Sequence, residues 1–252
     1  MSIINKNLIV TGGTGGIGTE VIKAFAAAGA NVAFCSRNEK NVNELVSELT
    51  KEFPCVKFFG CSCDISSEKE ADGFIKKVYS EFGKIDGIVN NAGVGYFDSF
   101  LELSSDMWNQ IINTNFMGTV NMCRNVIPYL LENERENGKR GILINVGSSS
   151  ALKYVSGNIA YASSKAALKT FSEYLFNEYR KEGISVTHVS IGSVNTGFSK
   201  RNKDTIGWKI KPWEAGYIIK TLSEMAFFTD NACFPHIDVR TMNPIECNGD
   251  KE

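Results

Sequence analysis

The sequence predicts a doubly wound α/β fold, and three observations carry this prediction. Strand-like and helix-like segments alternate along most of the 252 residues. The strand-like segments are short and rich in valine and isoleucine, which is typical of a parallel sheet buried on both faces. The first of them ends in a run of glycines that opens a helix. We therefore expect a single domain over residues 1–252, with a parallel sheet and helices on both of its faces.

Each element follows from its local pattern of apolar residues and chain breakers. The predicted strands are Asn7–Val10, Asn31–Cys35, Val56–Cys61, Ile85–Asn90, Gly141–Val146, Ser185–Ile191 and His236–Arg240. The predicted helices are Thr19–Ala28, Lys40–Phe53, Ser67–Phe82, Asp106–Glu132, Ile159–Arg180 and Pro212–Phe228. Ligands of such folds bind at the carboxyl ends of the strands. Residues 241–252 are polar and are expected to fray.

Composition excludes several classes of protein. The net charge is −1 and the pI is about 6.2, so the basic surface of a nucleic-acid binder is not expected. No apolar run approaches the ~18 residues of a membrane span, and the amino terminus has no signal-peptide pattern. Seven cysteines lack metal-binding spacing, so we expect no metal and free thiols in a reducing cytoplasm. A redox role for Cys61 and Cys63 is the alternative.

The glycine-rich turn Thr11–Gly18 predicts a nucleotide site. It follows a strand and opens a helix, whose amino terminus offers unpaired N–H groups to a pyrophosphate. Glycine also lets the backbone approach a ligand closely. The alternative is a tight turn with a purely structural role. The residues predicted to contact the nucleotide here are Gly12, Thr14, Gly15, Gly16, Ile17 and Gly18.

The end of the second strand indicates which dinucleotide binds. An NAD site needs an acidic residue about 20 positions after the glycines, but Ser36, Arg37 and Asn38 stand there. The planar guanidinium of Arg37 suits a 2′-phosphate, and its two neighbours would add hydrogen bonds. We therefore predict NADP(H) as the cofactor. A solvated Arg37, with Glu39 restoring an NAD site, is the alternative.

Two further strand ends are predicted to touch the cofactor. Asp64 and Ile65 follow the third strand, where the carboxylate would accept from an adenine amino group and the isoleucine would pack on the ring. A helix cap is an equally good and compatible role for Asp64. After the fourth strand, Asn91, Ala92 and Gly93 allow close passage beside a ribose.

The candidate catalytic residues lie in the second half of the chain. Tyr161 and Lys165 are four apart on a predicted helix and face the same way, and Ser148 lies thirteen residues before the tyrosine. An ammonium near a phenol favours the phenolate, so we expect Lys165 to lower the pKa of Tyr161. A nearby serine hydroxyl would hold a substrate oxygen. This combination suits acid–base chemistry on a carbonyl or an alcohol.

Five motifs, in this order and at this spacing, resemble the short-chain dehydrogenase/reductase family. They are the Thr11–Gly18 turn, Asn90-Asn-Ala-Gly93, Asn115-Phe-Met-Gly118, Asn145-Val-Gly-Ser148 and Tyr161-x₃-Lys165. The resemblance implies a Rossmann-type sheet of about seven strands and a homodimer or homotetramer. It also implies the catalytic set Asn115, Ser148, Tyr161 and Lys165, with Tyr161 and Lys165 near the cofactor as well. Asn115 would hold a water linked to Lys165 at an irregular point of its helix.

One family motif is altered. The family's Pro-Gly-x-Val-x-Thr appears here with Ile191 in place of proline. The resemblance still implies cofactor contacts from Gly192, Val194 and Thr196, but the rigidity of the turn is in doubt because isoleucine does not fix φ.

These features predict an NADPH-dependent reductase of ketones or aldehydes. Alternatives are an NADP-linked alcohol or 3-hydroxy-acid dehydrogenase, an enzyme of isomerisation or dehydration, and a non-catalytic NADP-binding regulatory protein. Residues 197–211 are expected to form a substrate lid whose basic residues would favour an anionic or carrier-bound substrate, unless they are simply solvated: Lys200, Arg201, Lys203, Lys209 and Lys211. Aromatic and apolar residues that would line the pocket are Tyr96, Phe97, Leu152, Tyr154 and Phe198.

Overall fold

A computed structural model of the chain describes residues 3–198, 209–230 and 232–242. Seven strands form one sheet in which every neighbouring pair is parallel. In chain order they are β1 (Asn7–Thr11), β2 (Asn31–Ser36), β3 (Phe58–Ser62), β4 (Gly87–Asn90), β5 (Gly141–Val146), β6 (Ile184–Ile191) and β7 (His236–Val239). The spatial order is β3-β2-β1-β4-β5-β6-β7. The predicted doubly wound α/β fold is confirmed.

Helices cover both faces of this sheet. They are α1 (Gly16–Ala27), α2 (Glu39–Glu52), α3 (Glu68–Phe82), α4 (Ser105–Ile112), α5 (Gly118–Glu132), α6 (Ile159–Tyr179) and α7 (Pro212–Phe228). Short 3₁₀ turns occupy Ser149–Ala151 and Arg180–Glu182. None of the helices in the described part of the chain is long and apolar enough to cross a membrane.

Alternation along the strands creates two cores. In β1, Leu8 and Val10 belong to one buried cluster, and Ile9 belongs to the other. The first cluster contains apolar residues of α1, α2 and α7, and the second contains those of α3, α5 and α6. Because successive strand residues point to opposite faces, strands buried on both sides are mostly apolar, although β6 also buries polar residues such as Thr187 and His188.

The predicted helix over residues 106–132 is interrupted. Asn113–Met117 form a π-turn between α4 and α5, and such turns are frequent at functional sites. Two strands also begin later than predicted, at Phe58 and Gly87. Asp86, just before β4, instead accepts a hydrogen bond from the Asn7 backbone N–H at 2.9 Å.

The chain order creates a crevice at one edge of the sheet. From β1 the chain winds outward to β2 and β3, and then crosses back to β4 on the other side of β1. The loops that leave β1 and β4 therefore diverge, which is where doubly wound sheets bind ligands.

Candidate active site

A cavity of about 730 Å³ lies where the strands end. Its lining includes most of the residues that the sequence predicts at the site. They are Gly12, Thr14, Gly15, Gly16, Ile17, Ser36, Arg37, Asp64, Ile65, Asn91, Ala92, Gly93, Ser148, Tyr161, Lys165, Gly192, Val194 and Thr196. Three predicted residues do not line it: Gly18, Asn38 and Asn115.

The glycine turn is shaped by close backbone contacts. Gly12 has a φ of +66°, and a Cβ at this position would lie 2.9 Å from the Cα of Ala92. Gly18 lies beneath the turn, where a Cβ would lie only 2.2 Å from the Gly12 carbonyl oxygen. Gly18 is not part of the cavity lining, and its predicted cofactor contact stays a prediction. Its missing side chain lets helix α1 approach the turn.

The amino terminus of α1 faces the cavity with its N–H groups free of side-chain caps. Gly15 is the N-cap and supplies no side-chain acceptor, and the first turn holds no acidic residue. Gly15, Gly16 and Ile17 all line the cavity. The positive end of the helix dipole is therefore available to an anion.

Residues after β2 separate into two roles. Thr14 donates its hydroxyl hydrogen bond to Ser36 Oγ at 2.7 Å, and both residues line the cavity together with Arg37. Asn38 instead caps helix α2 by accepting from the Asn41 N–H at 3.1 Å. This capping bond uses the side-chain oxygen and leaves the side-chain nitrogen as a donor, so the predicted contact with the cofactor stays a prediction.

Asp64 lines the cavity and also organises its own loop. Its Oδ1 accepts from the backbone N–H of Ser66 at 2.9 Å and from the Ser66 hydroxyl at 2.7 Å. Helix α3 is capped by Ser67 rather than by Asp64. The carboxylate thus stabilises a turn that holds Ile65 against the cavity wall.

Asn91 ties β1 to β4. Its side-chain nitrogen donates to the Thr11 carbonyl oxygen at 3.0 Å, and the Thr11 hydroxyl accepts from the N–H groups of Asn91 and Ala92, both at 3.0 Å. These bonds fix the two sides of the crevice relative to one another.

Ser148 and Tyr161 meet at one end of the cavity. The Ser148 hydroxyl acts to lower the pKa of Tyr161, and Ser148 Oγ accepts from the Ser150 N–H at 3.2 Å. Because the Ser150 N–H occupies one acceptor position, the Ser148 proton can turn toward the cavity. A substrate oxygen placed here would meet two hydroxyl donors.

Lys165 is buried beside this pair, with 4% of its surface exposed. Its Nζ donates to the Val146 carbonyl oxygen at 2.8 Å and lies 5.7 Å from the centre of the Tyr161 ring. Burial lowers the pKa of Lys165 to about 8, because a desolvated ammonium is disfavoured.

The expected depression of the Tyr161 pKa is not found. Burial raises the pKa of Tyr161 to about 12, and the hydrogen bond with Ser148 opposes this only in part. The ring packs against Phe97 and Phe198, with both centroid separations at 5.8 Å. Desolvation therefore outweighs any help from Lys165, and the phenol is protonated at neutral pH.

Asn115 lies behind the cavity rather than in its wall. It is fully buried within the π-turn. Its Oδ1 accepts from the Val94 N–H at 2.7 Å, and its Nδ2 donates to the Val94 carbonyl oxygen at 2.9 Å and to Ser164 Oγ at 3.1 Å. The side chain thereby joins the loop after β4 to helix α6, which carries Tyr161 and Lys165. These bonds give Asn115 a structural role, and the predicted water beside it stays a prediction.

The turn after β6 is stable without the family's proline. Ile191 is buried and pairs with Val239 of β7, and the Gly192 N–H donates to the Val239 carbonyl oxygen at 2.9 Å. Pairing with β7 therefore fixes the start of this turn. Thr196 also packs against the start of α1, because its methyl carbon would lie 2.7 Å from a Cβ on Gly16.

Only two of the five residues predicted to line the substrate pocket line the cavity. Phe97 and Phe198 line the cavity, whereas Tyr96, Leu152 and Tyr154 do not. Within the predicted lid, Lys200, Arg201 and Lys203 lie outside the described residues. Lys209 and Lys211 are described and are not part of the lining.

Several lining residues were not predicted, among them Cys35, Cys63, Val94, Thr114, Val155 and Asn158. Cys35 and Cys63 stand at the ends of β2 and β3, so their position relative to strand ends was a usable signal. Val155 and Asn158 lie on a loop whose direction depends on tertiary packing, and no local pattern marks them.

A doubly wound sheet with a glycine turn at its switch point defines a dinucleotide-binding class of protein. The model of the family described as short chain dehydrogenase matches residues 6–207. The chain belongs to this family of oxidoreductases, which use a nicotinamide cofactor.

Individual relatives agree with this assignment. An uncharacterized oxidoreductase of Staphylococcus epidermidis is 30% identical over 191 residues, covering 76% of this chain and 79% of the relative. A 3-oxoacyl-(acyl-carrier-protein) reductase of Chlamydia muridarum is 30% identical over 204 residues, covering 81% and 80%. An alcohol dehydrogenase from the archaeon Thermococcus sibiricus, solved with 5-hydroxy-NADP, has the same fold. Its TM-score is 0.82 at 24% identity, and the match covers 94% of this chain and 97% of that one.

Proposed function

We propose that the protein is an NADPH-dependent carbonyl reductase that converts a ketone or an aldehyde to an alcohol. The observation that carries the proposal is the pair of hydroxyls on Ser148 and Tyr161, which both line one cavity, with the Ser148 hydroxyl lowering the Tyr161 pKa. Arg37 and the uncapped amino terminus of α1 lie along the same cavity. Family membership supports an oxidoreductase in general terms.

The lining fits a dinucleotide phosphate. The α1 terminus would hold the pyrophosphate, and Ser36 with Arg37 would hold a 2′-phosphate. Ile65 and Ala92 would offer apolar contacts to the adenosine half, and Lys165 would bond the ribose beside the nicotinamide. The bound cofactor supplies a hydride. The relative from Thermococcus sibiricus, solved with an NADP derivative, agrees with this choice.

Tyr161 would donate the proton to the carbonyl oxygen. A pKa of about 12 keeps the phenol protonated at neutral pH, which is the form that an acid catalyst of reduction needs. Ser148 would donate a second hydrogen bond to the same oxygen and stabilise the negative charge that develops there. The bond from the Ser150 N–H to Ser148 Oγ holds that hydroxyl in place.

The protonated phenol suits the reductive direction at neutral pH. Oxidation needs Tyr161 as a base, and a raised pKa makes the phenolate scarce at neutral pH. An NADP-linked alcohol or 3-hydroxy-acid dehydrogenase is thus the second candidate and would work best at alkaline pH. Binding without turnover is disfavoured because both hydroxyl donors and Lys165 converge at one point.

The test is NADPH oxidation across 3-oxo esters, 3-oxoacyl thioesters, diketones, aldehydes and cyclic ketones, with NADH as the comparison. The thioesters are included because of the named activity of the Chlamydia muridarum relative. Tyr161→Phe should lower kcat by about 100-fold or more while NADPH binding, measured by calorimetry, stays within a few-fold. Turnover that survives in Tyr161→Phe would contradict the assignment of the proton donor. Tight NADPH binding with no turnover of any carbonyl would favour the regulatory alternative.

We also propose that the protein forms a homodimer or homotetramer. Met117 and Tyr174 expose apolar surface on the π-turn and on α6, respectively, and exposed apolar patches often mark interfaces. Light scattering should give a mass of at least twice 27.7 kDa, and Tyr174→Glu should reduce it.

A further inference from the structure

Three aromatic rings meet at the reacting end of the cavity. The Phe97 and Tyr161 centroids are 5.8 Å apart, those of Tyr161 and Phe198 are 5.8 Å apart, and those of Phe97 and Phe198 are 6.3 Å apart. The rings are tilted or edge-on to one another, since the three interplanar angles are 56°, 57° and 72°. Edge-on rings present C–H groups and faces that suit a further flat apolar group.

Local backbone allows this arrangement. Gly95 has no side chain, and a Cβ there would lie 2.8 Å from the Phe97 ring and 3.0 Å from the Phe198 ring. Both phenylalanines lie on connections outside helices and strands. The Phe198 side is open, because 43% of this residue is exposed. An exposed aromatic residue on a cavity wall is available to a ligand without unfolding the core.

The charged residues in the described part of the lining are Arg37, Asp64 and Lys165. Arg37 and Asp64 follow β2 and β3, on the far side of β1 from the β5 and β6 ends. Lys165 lies 5.7 Å from the Tyr161 ring centre, but its Nζ is already bonded to the Val146 carbonyl oxygen. A carboxylate placed against Phe97 and Phe198 would therefore lose its hydration with only this engaged ammonium nearby, and this is costly.

We propose that Phe97 and Phe198 form an aromatic clamp that selects uncharged ketones bearing a flat apolar group beside the carbonyl. This inference rests on the proposed reductase function, because the clamp orients the carbonyl toward Ser148 and Tyr161. The clamp favours an uncharged substrate over the anionic one that the basic residues between 200 and 211 would favour.

Three 3-oxo compounds separate these possibilities. Ethyl benzoylacetate is uncharged and carries a phenyl ring, benzoylacetate has the same ring and a carboxylate, and ethyl acetoacetate lacks the ring. The clamp predicts the highest kcat/KM for ethyl benzoylacetate. In Phe97→Ala and Phe198→Ala this value should fall by about 10- to 100-fold, mainly through KM. For ethyl acetoacetate the loss should stay within about three-fold.

Matched variants keep the test specific. Phe97→Leu and Phe198→Leu retain apolar volume without a ring and should recover part of the affinity. Phe228→Ala removes an exposed ring at the end of α7 that is not part of the lining and should leave all three substrates unchanged. NADPH binding by calorimetry reports whether each variant keeps a folded cofactor site.

Binding of ethyl benzoylacetate to the protein loaded with NADP⁺ gives a readout that needs no reaction. Weaker binding in both alanine variants supports the clamp even if no reductase activity is found, in which case only the proposed function fails. The clamp is overturned if benzoylacetate is preferred to its ethyl ester. It is equally overturned if both alanine variants bind ethyl benzoylacetate as tightly as the unchanged protein.

Discussion

Replacing Lys165 by methionine should remove a pH dependence of folding that the buried amine creates. Methionine keeps the apolar stem of the side chain but has no group that titrates in this range. The Lys165 pKa is about 8, compared with the usual 10.5. A depression of this size corresponds to about 3 kcal/mol of difference between the two charge states.

The sign of the pH dependence follows from whether the folded or the unfolded state binds the Lys165 proton more tightly. Between pH 8 and 10.5 the unfolded chain keeps the Lys165 proton and the folded protein loses it, so rising pH stabilises the fold. Below pH 8 both states are charged, and the folded state carries the full cost of a desolvated ammonium. The stability of Lys165→Met minus that of the unchanged protein should therefore be largest near pH 7. It should shrink by about 3 kcal/mol by pH 10.5.

Urea denaturation at intervals from pH 7 to pH 10.5 measures this difference. The raised pKa of Tyr161 makes stability fall as pH rises from its usual 10 toward 12, but both proteins share this loss. The lost bond to the Val146 carbonyl oxygen adds an offset of about 1 kcal/mol that does not vary with pH. Lys169→Met, one turn further along α6 at a partly buried position, is the control and should show no such trend. A difference between Lys165→Met and the unchanged protein that stays flat across this range would refute the reasoning.

Three further predictions concern other parts of the site. Arg37→Gln should weaken NADPH binding by about 10- to 100-fold and NADH binding by less than three-fold, because charge-assisted bonds to phosphate are strong. Calorimetry with both cofactors checks this, and equal losses of affinity would contradict a 2′-phosphate contact. Asn115→Ala should lower the free energy of unfolding by about 2–4 kcal/mol, because it leaves the N–H and C=O groups of Val94 unpaired. An unchanged urea midpoint would contradict this structural role of Asn115. Gly18→Ala should destabilise the folded protein by at least about 2 kcal/mol, since the new Cβ would lie 2.2 Å from the Gly12 carbonyl oxygen. A thermal midpoint equal to that of the unchanged protein would contradict this prediction and show that the turn can relax.

Much of the fold was predictable because its signals are local. Valine- and isoleucine-rich strands and glycine stops depend on a few neighbouring residues, and they gave all seven strands to within a few positions. The meeting of Ser148, Tyr161 and Lys165 was also predictable, since two of them share a helix face and the third follows a strand that ends nearby. Strand ends of a parallel sheet converge at one edge, so the topology brings these residues together.

The remaining features depend on partners that are distant in sequence. Asn38 and Gly18 have suitable spacing for a cofactor contact, but a capping bond occupies the first and the Gly12 carbonyl covers the second. The pKa of Tyr161 depends on burial beneath Phe97 and Phe198. The sequence shows that Lys165 lies four residues from Tyr161. It does not show that Phe97 and Phe198, on two separate loops, pack against the Tyr161 ring.

The π-turn at Asn113–Met117 makes the position of Asn115 depend on the number of residues between α4 and α5. Such a turn holds one more residue than a regular helical turn. Removing a single residue here would restore ordinary helical bonding with little rotation of α5, because the extra residue is taken up within the widened turn. Val126 and Leu130 of α5 would then stay in the core they now occupy. The loss would fall instead on Asn115, which lies within the widened turn and bonds both backbone groups of Val94.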